Sequence, residues 1–208
     1  VFVTAWAPGY YINGVDDVLP GTTDLEIVLK KHTDRDNPGY EFLSAFSSAG
    51  MDGNCQNCHA DEVGSSLPFS EWQQDAHALS AQNPRFISMY LGQDLDGKQS
   101  PPRRFDYNRD YGRVPLPPDV TQPYFGPGYK LDFPGADGNC AACHAPVAAI
   151  DAAYAVDPTR VTDVGTEGVT CDFCHKVWGV LLDPAGNLPG LNMPGVLSFE
   201  FRRPEKGH

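Results

Sequence analysis

The chain has 208 residues, a length that fits one domain or two small ones. Its 21 glycines and 19 prolines describe a loop-rich chain, while an aromatic content of 11% keeps it within the ordered class. A net charge of −12 has the wrong sign for gripping a phosphate backbone, which excludes nucleic acid as a partner, and no apolar run approaches the ~18 residues of a membrane span.

The first residue is Val1 rather than Met, which implies a processed start, and the apolar string 1–11 is read as the tail of a membrane anchor lost upstream. A short helix is expected over 23–31, with Thr23 as N-cap, Lys30 and Lys31 at the C-terminal dipole, and His32 directly after. The apolar row Trp72, Ala76 and Leu79 predicts a helix over 70–81 that carries His77 and stops at Asn83-Pro84. Residues 92–139 contain eight prolines among scattered Tyr and Phe, and read as an ordered covering loop. An alanine-rich helix over 147–156 and a strand over 196–201 complete the expected elements.

All six cysteines fall in Cys-x-x-Cys-His pentamers: Cys55-Gln-Asn-Cys58-His59, Cys140-Ala-Ala-Cys143-His144 and Cys171-Asp-Phe-Cys174-His175. One such pentamer is expected by chance ~0.005 times in a chain with this Cys and His content, so three are not accidental. The pattern is the attachment signature of c-type haem. Two thiols bond the vinyl groups, and the adjacent imidazole lies under the iron as proximal ligand. A helical turn across each pentamer would put the three groups on one side. Tetrahedral zinc would use two Cys pairs, strand the third, and leave the repeated His unexplained. Thioredoxin-like redox pairs would need a βαβ context that the sequence lacks.

The expected fold is therefore mostly irregular with short α-helices: an all-α, single triple-haem domain over 1–208 in which three covalently bound haems replace much of a conventional core, so that folding depends on haem. Thioether bonding predicts no disulfides. Because c-type haem is attached outside the cytoplasm, the expected location is periplasmic or extracellular. The repeat of Asp52-Gly-Asn-Cys55 as Asp137-Gly-Asn-Cys140 is motif recurrence, since the intervals between pentamers are too unequal for a regular array.

Subtracting the three proximal histidines leaves His32, His77 and His208, equal in number to the haems and hence the candidate distal ligands. Met193 is a rival in its Asn192-Met193-Pro194-Gly195 loop; Met51 and Met89 are weaker ones, because methionine more often fills core gaps. Arg103, Arg104, Arg202 and Arg203 are guanidinium partners for haem propionates, with solvated surface arginines as the alternative. Asp94-Leu-Asp96-Gly97 fails the calcium-loop pattern at its first and twelfth positions.

The Cys-x-x-Cys-His pentamer followed by Glu71-Trp72-x-x-Asp75-x-His77-Ala78, together with Glu167-Gly168-Val169-Thr170-Cys171-x-x-Cys174-His175, resembles the multihaem cytochromes related to the nitrification tetrahaem cytochromes, hydroxylamine oxidoreductase and octahaem tetrathionate reductase. The likeness covers most of 50–208, with Asp75 where that family has serine. It implies that His77 is a distal haem ligand and that the chain is the N-terminal part of a longer multihaem protein.

The function expected from these residues is electron transfer through three mostly bis-histidine haems, by an electron carrier rather than an enzyme. Its partners would be redox proteins with basic surfaces. The alternatives are a self-associating filament subunit, a subunit docked on a membrane redox complex, and an oxidoreductase for a nitrogen or sulfur compound with one open haem.

Overall fold

The computed structural model describes residues 1–47, 54–60, 67–99, 105–117, 119–124, 126–187, 193 and 195–205. Among them, about 30% are helical and 16% are in strands. The helices are α1 (Cys55–His59), α2 (Pro68–Gln74), α3 (Pro84–Leu91), α4 (Tyr129–Asp132), α5 (Ala141–His144), α6 (Pro146–Ala149) and α7 (Cys171–Lys176). The strands are β1 (Val3–Ala5), β2 (Asn13–Val15), β3 (Phe105–Asn108), β4 (Gly112–Pro115), β5 (Val177–Val180) and β6 (Phe199–Phe201), paired as three two-stranded sheets β1–β2, β3–β4 and β5–β6. The content is mixed rather than purely helical. Among the described residues no helix is long and apolar enough to cross a membrane.

The chain divides into two compact units, Val1–Glu41 with Phe201–His208, and Phe42–Glu200. In the first, β1 and β2 run antiparallel with Val3 opposite Val15. The helix expected over 23–31 does not form. Ile27 and Leu29 are half-buried while Glu26, Val28 and Lys30 are exposed, so the segment has the period of two of an extended chain, which the β-branched Ile27-Val28 pair favours. It is tied down by hydrogen bonds from the Tyr11 amide to Lys30 O (2.8 Å) and from Asn13 Nδ2 to Val28 O (2.9 Å). Arg203 is buried, and its guanidinium and backbone N–H both bond Asp36, with Nη2 to Oδ2 at 2.6 Å and the amide to Oδ1 at 2.8 Å. This arginine is buried rather than solvated, with its guanidinium engaged by Asp36.

In the second unit, the helix expected over 70–81 ends early. α2 stops at Gln74 because Asp75 turns extended (ψ 159°) and bonds the amide of His77 instead of continuing the ladder. A 3₁₀ turn at Ser80–Gln82 follows. Asn83-Pro84 ends that turn and also starts α3: Asn83 Oδ1 accepts from the amides of Arg85 and Phe86, and Pro84 stands at the first helical position. Within 92–139 the expected loop holds the β3–β4 hairpin, in register from Phe105–Pro115 to Asn108–Gly112, and the single turn α4. The helix expected over 147–156 is only α6. The strand expected over 196–201 begins at Phe199, after a 3₁₀ turn at Gly195–Ser198.

The core of this unit is small. Ala81, Ala141, Ala145 and Ala149 are buried together, with Val156 and Val161 against them. A second apolar group joins Phe69 and Trp72 of α2 to Phe46, with ring centroids 5.5–5.7 Å apart.

Candidate haem-attachment sites

Each pentamer folds as a short helix. α1 and α7 each start on the first cysteine of their pentamer, and Cys140, just before α5, already has helical angles (φ −63°, ψ −38°). Cysteine, cysteine and histidine stand at i, i+3 and i+4, the spacing that shares one helical face. Exposure follows the same order in all three: the first cysteine is half-buried and the second is exposed, as are His59 and His175, with His144 half-buried. None of the six cysteines is paired in a disulfide. Burial pushes the Cys140 thiol up, and burial with the neighbouring Cys55 pushes Cys171 up to about 11. Among the described residues no three His, Cys, Asp or Glu side chains gather as a metal ion would require.

α7 is the best-specified of the three. Thr170, fully buried, caps it by accepting the Phe173 amide at 3.1 Å, and Asp172 pairs with Lys176 one turn on at 2.7 Å. The strip Glu167–Asp172 gathers the other parts of the site. The carboxylate of Glu167, buried, accepts Ser44 Oγ at 2.5 Å and the Ala45 amide at 2.8 Å, and that of Asp172 accepts the Leu43 amide at 2.9 Å. Ala45 O in turn accepts the Gln56 amide of α1 at 3.0 Å. Cys55 and Cys171 themselves lie within hydrogen-bonding reach.

The histidine segment is bound to the same strip. The Leu79 amide donates to Glu167 O (2.7 Å), the Val169 amide to His77 O (3.1 Å), and the Trp72 indole to Val169 O (2.8 Å). Gly168 makes this approach possible. At φ +81° it occupies backbone space that L side chains rarely adopt, and a Cβ there would lie 2.3 Å from Ser80 Oγ and 2.5 Å from His77 O. Ser80 Oγ then reaches His144 O at 2.9 Å, which ties the segment to α5 as well. The His144 ring stacks on Phe86 at 3.7 Å and 3°, and burial lowers its pKa, favouring the neutral imidazole that a metal needs.

Comparison with protein-family models, curated proteins and solved structures finds no match.

Of the remaining histidines, His77 is the one that hydrogen bonds bring to the pentamers. His32 is in the first unit, its ring edge-on to Tyr11 at 4.6 Å, and His208, like Arg103, Arg104 and Met51, lies outside the described residues. Met193 O accepts Ser198 Oγ. A cleft of about 590 Å³ walled by Val147, Val156, Val161 and Val164 lies beside α6, and none of the nine pentamer residues lines it. Sequence reasoning missed Glu167 and Asp172, whose only signal is acidity beside a cysteine pair.

Proposed function

We propose that this chain is a c-type cytochrome that carries three haems, at Cys55/Cys58/His59, Cys140/Cys143/His144 and Cys171/Cys174/His175, and passes electrons among them. The observation that carries this reading is the helical form of all three pentamers, each with two thiols and an imidazole on one face, all within one unit. The donor set fits the group. Each thiol adds across one vinyl C=C, forming a C–S bond while its hydrogen goes to the other vinyl carbon, so no oxidant is consumed. Bound haem supplies one-electron ferric/ferrous chemistry.

The protein's own part is position. The Glu167–Asp172 strip fixes α7 relative to 43–46, α1 and the His77 segment, and Ser80 links that segment to α5. His77 is the leading distal ligand, with His32, His208 and Met193 as candidates for the other positions. An exported electron carrier is the role that suits attachment outside the cytoplasm. Pairwise Cys→Ser substitution tests the reading: C55S/C58S, C140S/C143S and C171S/C174S should each lose one haem from a band stained for haem after denaturing electrophoresis. An unstained wild-type band would refute it.

A further inference from the structure

We propose that Asp75 is a positioning residue for His77: its carboxylate holds Nδ1–H, so that Nε2 is the nitrogen offered to iron, and its charge strengthens that imidazole as a donor to the ferric state. The inference rests on the haem reading above and adds a residue that the pentamers do not contain.

Asp75 closes α2, its own amide donating to Trp72 O at 3.0 Å. From there one oxygen, Oδ1, accepts twice from His77: the backbone amide at 2.9 Å and ring Nδ1. The His77 backbone is held independently on its far side, where its carbonyl accepts the Val169 and Ser80 amides at 3.1 and 3.4 Å, while the Trp72 indole fixes Val169. With the main chain clamped and Nδ1 engaged, rotation of the ring is restricted. Nε2 has no hydrogen-bond partner among the described residues, and the side chain is 66% exposed.

The turn that ends α2 accounts for the amide bond alone, and an exposed Asp–His pair contributes little stability by itself, so folding does not require the same carboxylate oxygen to take the ring nitrogen as well. The arrangement is that of a ligating histidine whose second nitrogen is held by a carboxylate, which fixes tautomer and ring orientation and raises ligand basicity. A neutral acceptor at position 75 would keep the orientation and lose the charge.

The test uses the full chain matured with haem. H77A is measured first: one of the three haems should turn from low-spin to high-spin by electron paramagnetic resonance with the haem count unchanged. D75N should keep three haems and three low-spin signals, shift the g-values of one, and raise one midpoint potential by the equivalent of a tenfold change in the one-electron equilibrium, ~59 mV. D75A should add a partial high-spin signal as the ring is released. If H77A exposes a high-spin haem but D75N and D75A leave both potential and spectrum unchanged, the role of Asp75 is overturned. If three haems are bound and H77A leaves all three unchanged, His77 is not a ligand and this inference alone fails. A wild-type chain without haem would bring down the underlying reading as well.

Discussion

The carboxylate of Glu167 accepts the backbone amide of Ala45, 122 residues away in the chain, at 2.8 Å in a buried setting. Ser44 Oγ bonds the other oxygen at 2.5 Å, while the backbone carbonyl of the same residue accepts the Leu79 amide at 2.7 Å. One residue thus joins the approach to α1, the His77 segment and the approach to α7. Hydrogen bonds to an ionised acceptor contribute about 1.5–3 kcal/mol each, and an amide left buried without a partner costs about 1–3 kcal/mol.

Glu167→Ala should therefore lower the unfolding free energy by about 3 kcal/mol, and Glu167→Gln, which keeps an acceptor, by about 1 kcal/mol. Denaturant unfolding followed by far-UV circular dichroism measures both. Equal losses, or none, would show that the carboxylate does not hold the site together.

Gly168→Ala should be costly although it adds one methyl group. A residue forced to φ +81° stores about 1–3 kcal/mol, and the new Cβ would press on Ser80 Oγ and His77 O. The expected readout is faster hydrogen exchange at the Val169 and Leu79 amides, which bond across this contact. Unchanged exchange at both would mean that the strip and the His77 segment do not depend on the glycine.

The first unit should be sensitive to acid through Asp36. Partial burial works to raise its carboxyl pKa, but side-chain and backbone hydrogen bonds from Arg203 outweigh that and leave it below the ordinary 3.8. A depressed carboxylate contributes stability that is fully present above the unfolded value and lost as pH falls through the folded one, so the contact should open below about pH 3.8. The protection factor of the Arg203 amide against hydrogen exchange, measured from pH 6 downward, should fall in that window. Asp36→Asn should remove the transition and cost about 2–3 kcal/mol by leaving the buried guanidinium without its ionised partner.

How far the site could be read beforehand differed by residue type. The spacing i, i+3, i+4 places Cys171, Cys174 and His175 on one face in the sequence alone, since the helical turn needs only local bonds. Asp75 shows the limit: in a periodic stretch it looks like an exposed helix position, yet its side chain captures the His77 amide and ends α2. Asn83-Pro84 carries two opposite signals, a stop and an N-cap, and both operate. Thr23 and the lysines at 30 and 31 read as helix ends, but the β-branched pair Ile27-Val28 favours an extended chain, and burial alternates along 26–30. Nothing local foretells that the carboxylates of Glu167 and Asp172 hold the segment 43–45, because those partners lie more than 120 residues away.

Charge predicts the kinetics of a diffusing carrier. A chain at −12, made more negative by about one unit per ferric haem through its propionates, should meet a cationic redox partner faster at low salt. Stopped-flow transfer rates should fall as ionic strength rises and the Debye length contracts through ~10 Å at 0.1 M. A flat profile with large particles in light scattering would favour preassembled contacts, as in a filament or a fixed complex.

The claim on which the rest depends is covalent attachment at three sites, and the intact mass of the purified chain under denaturing conditions tests it most directly. Thioether bonds survive denaturant, so the mass should exceed that of the polypeptide by three haems. A mass equal to the bare polypeptide would contradict the account.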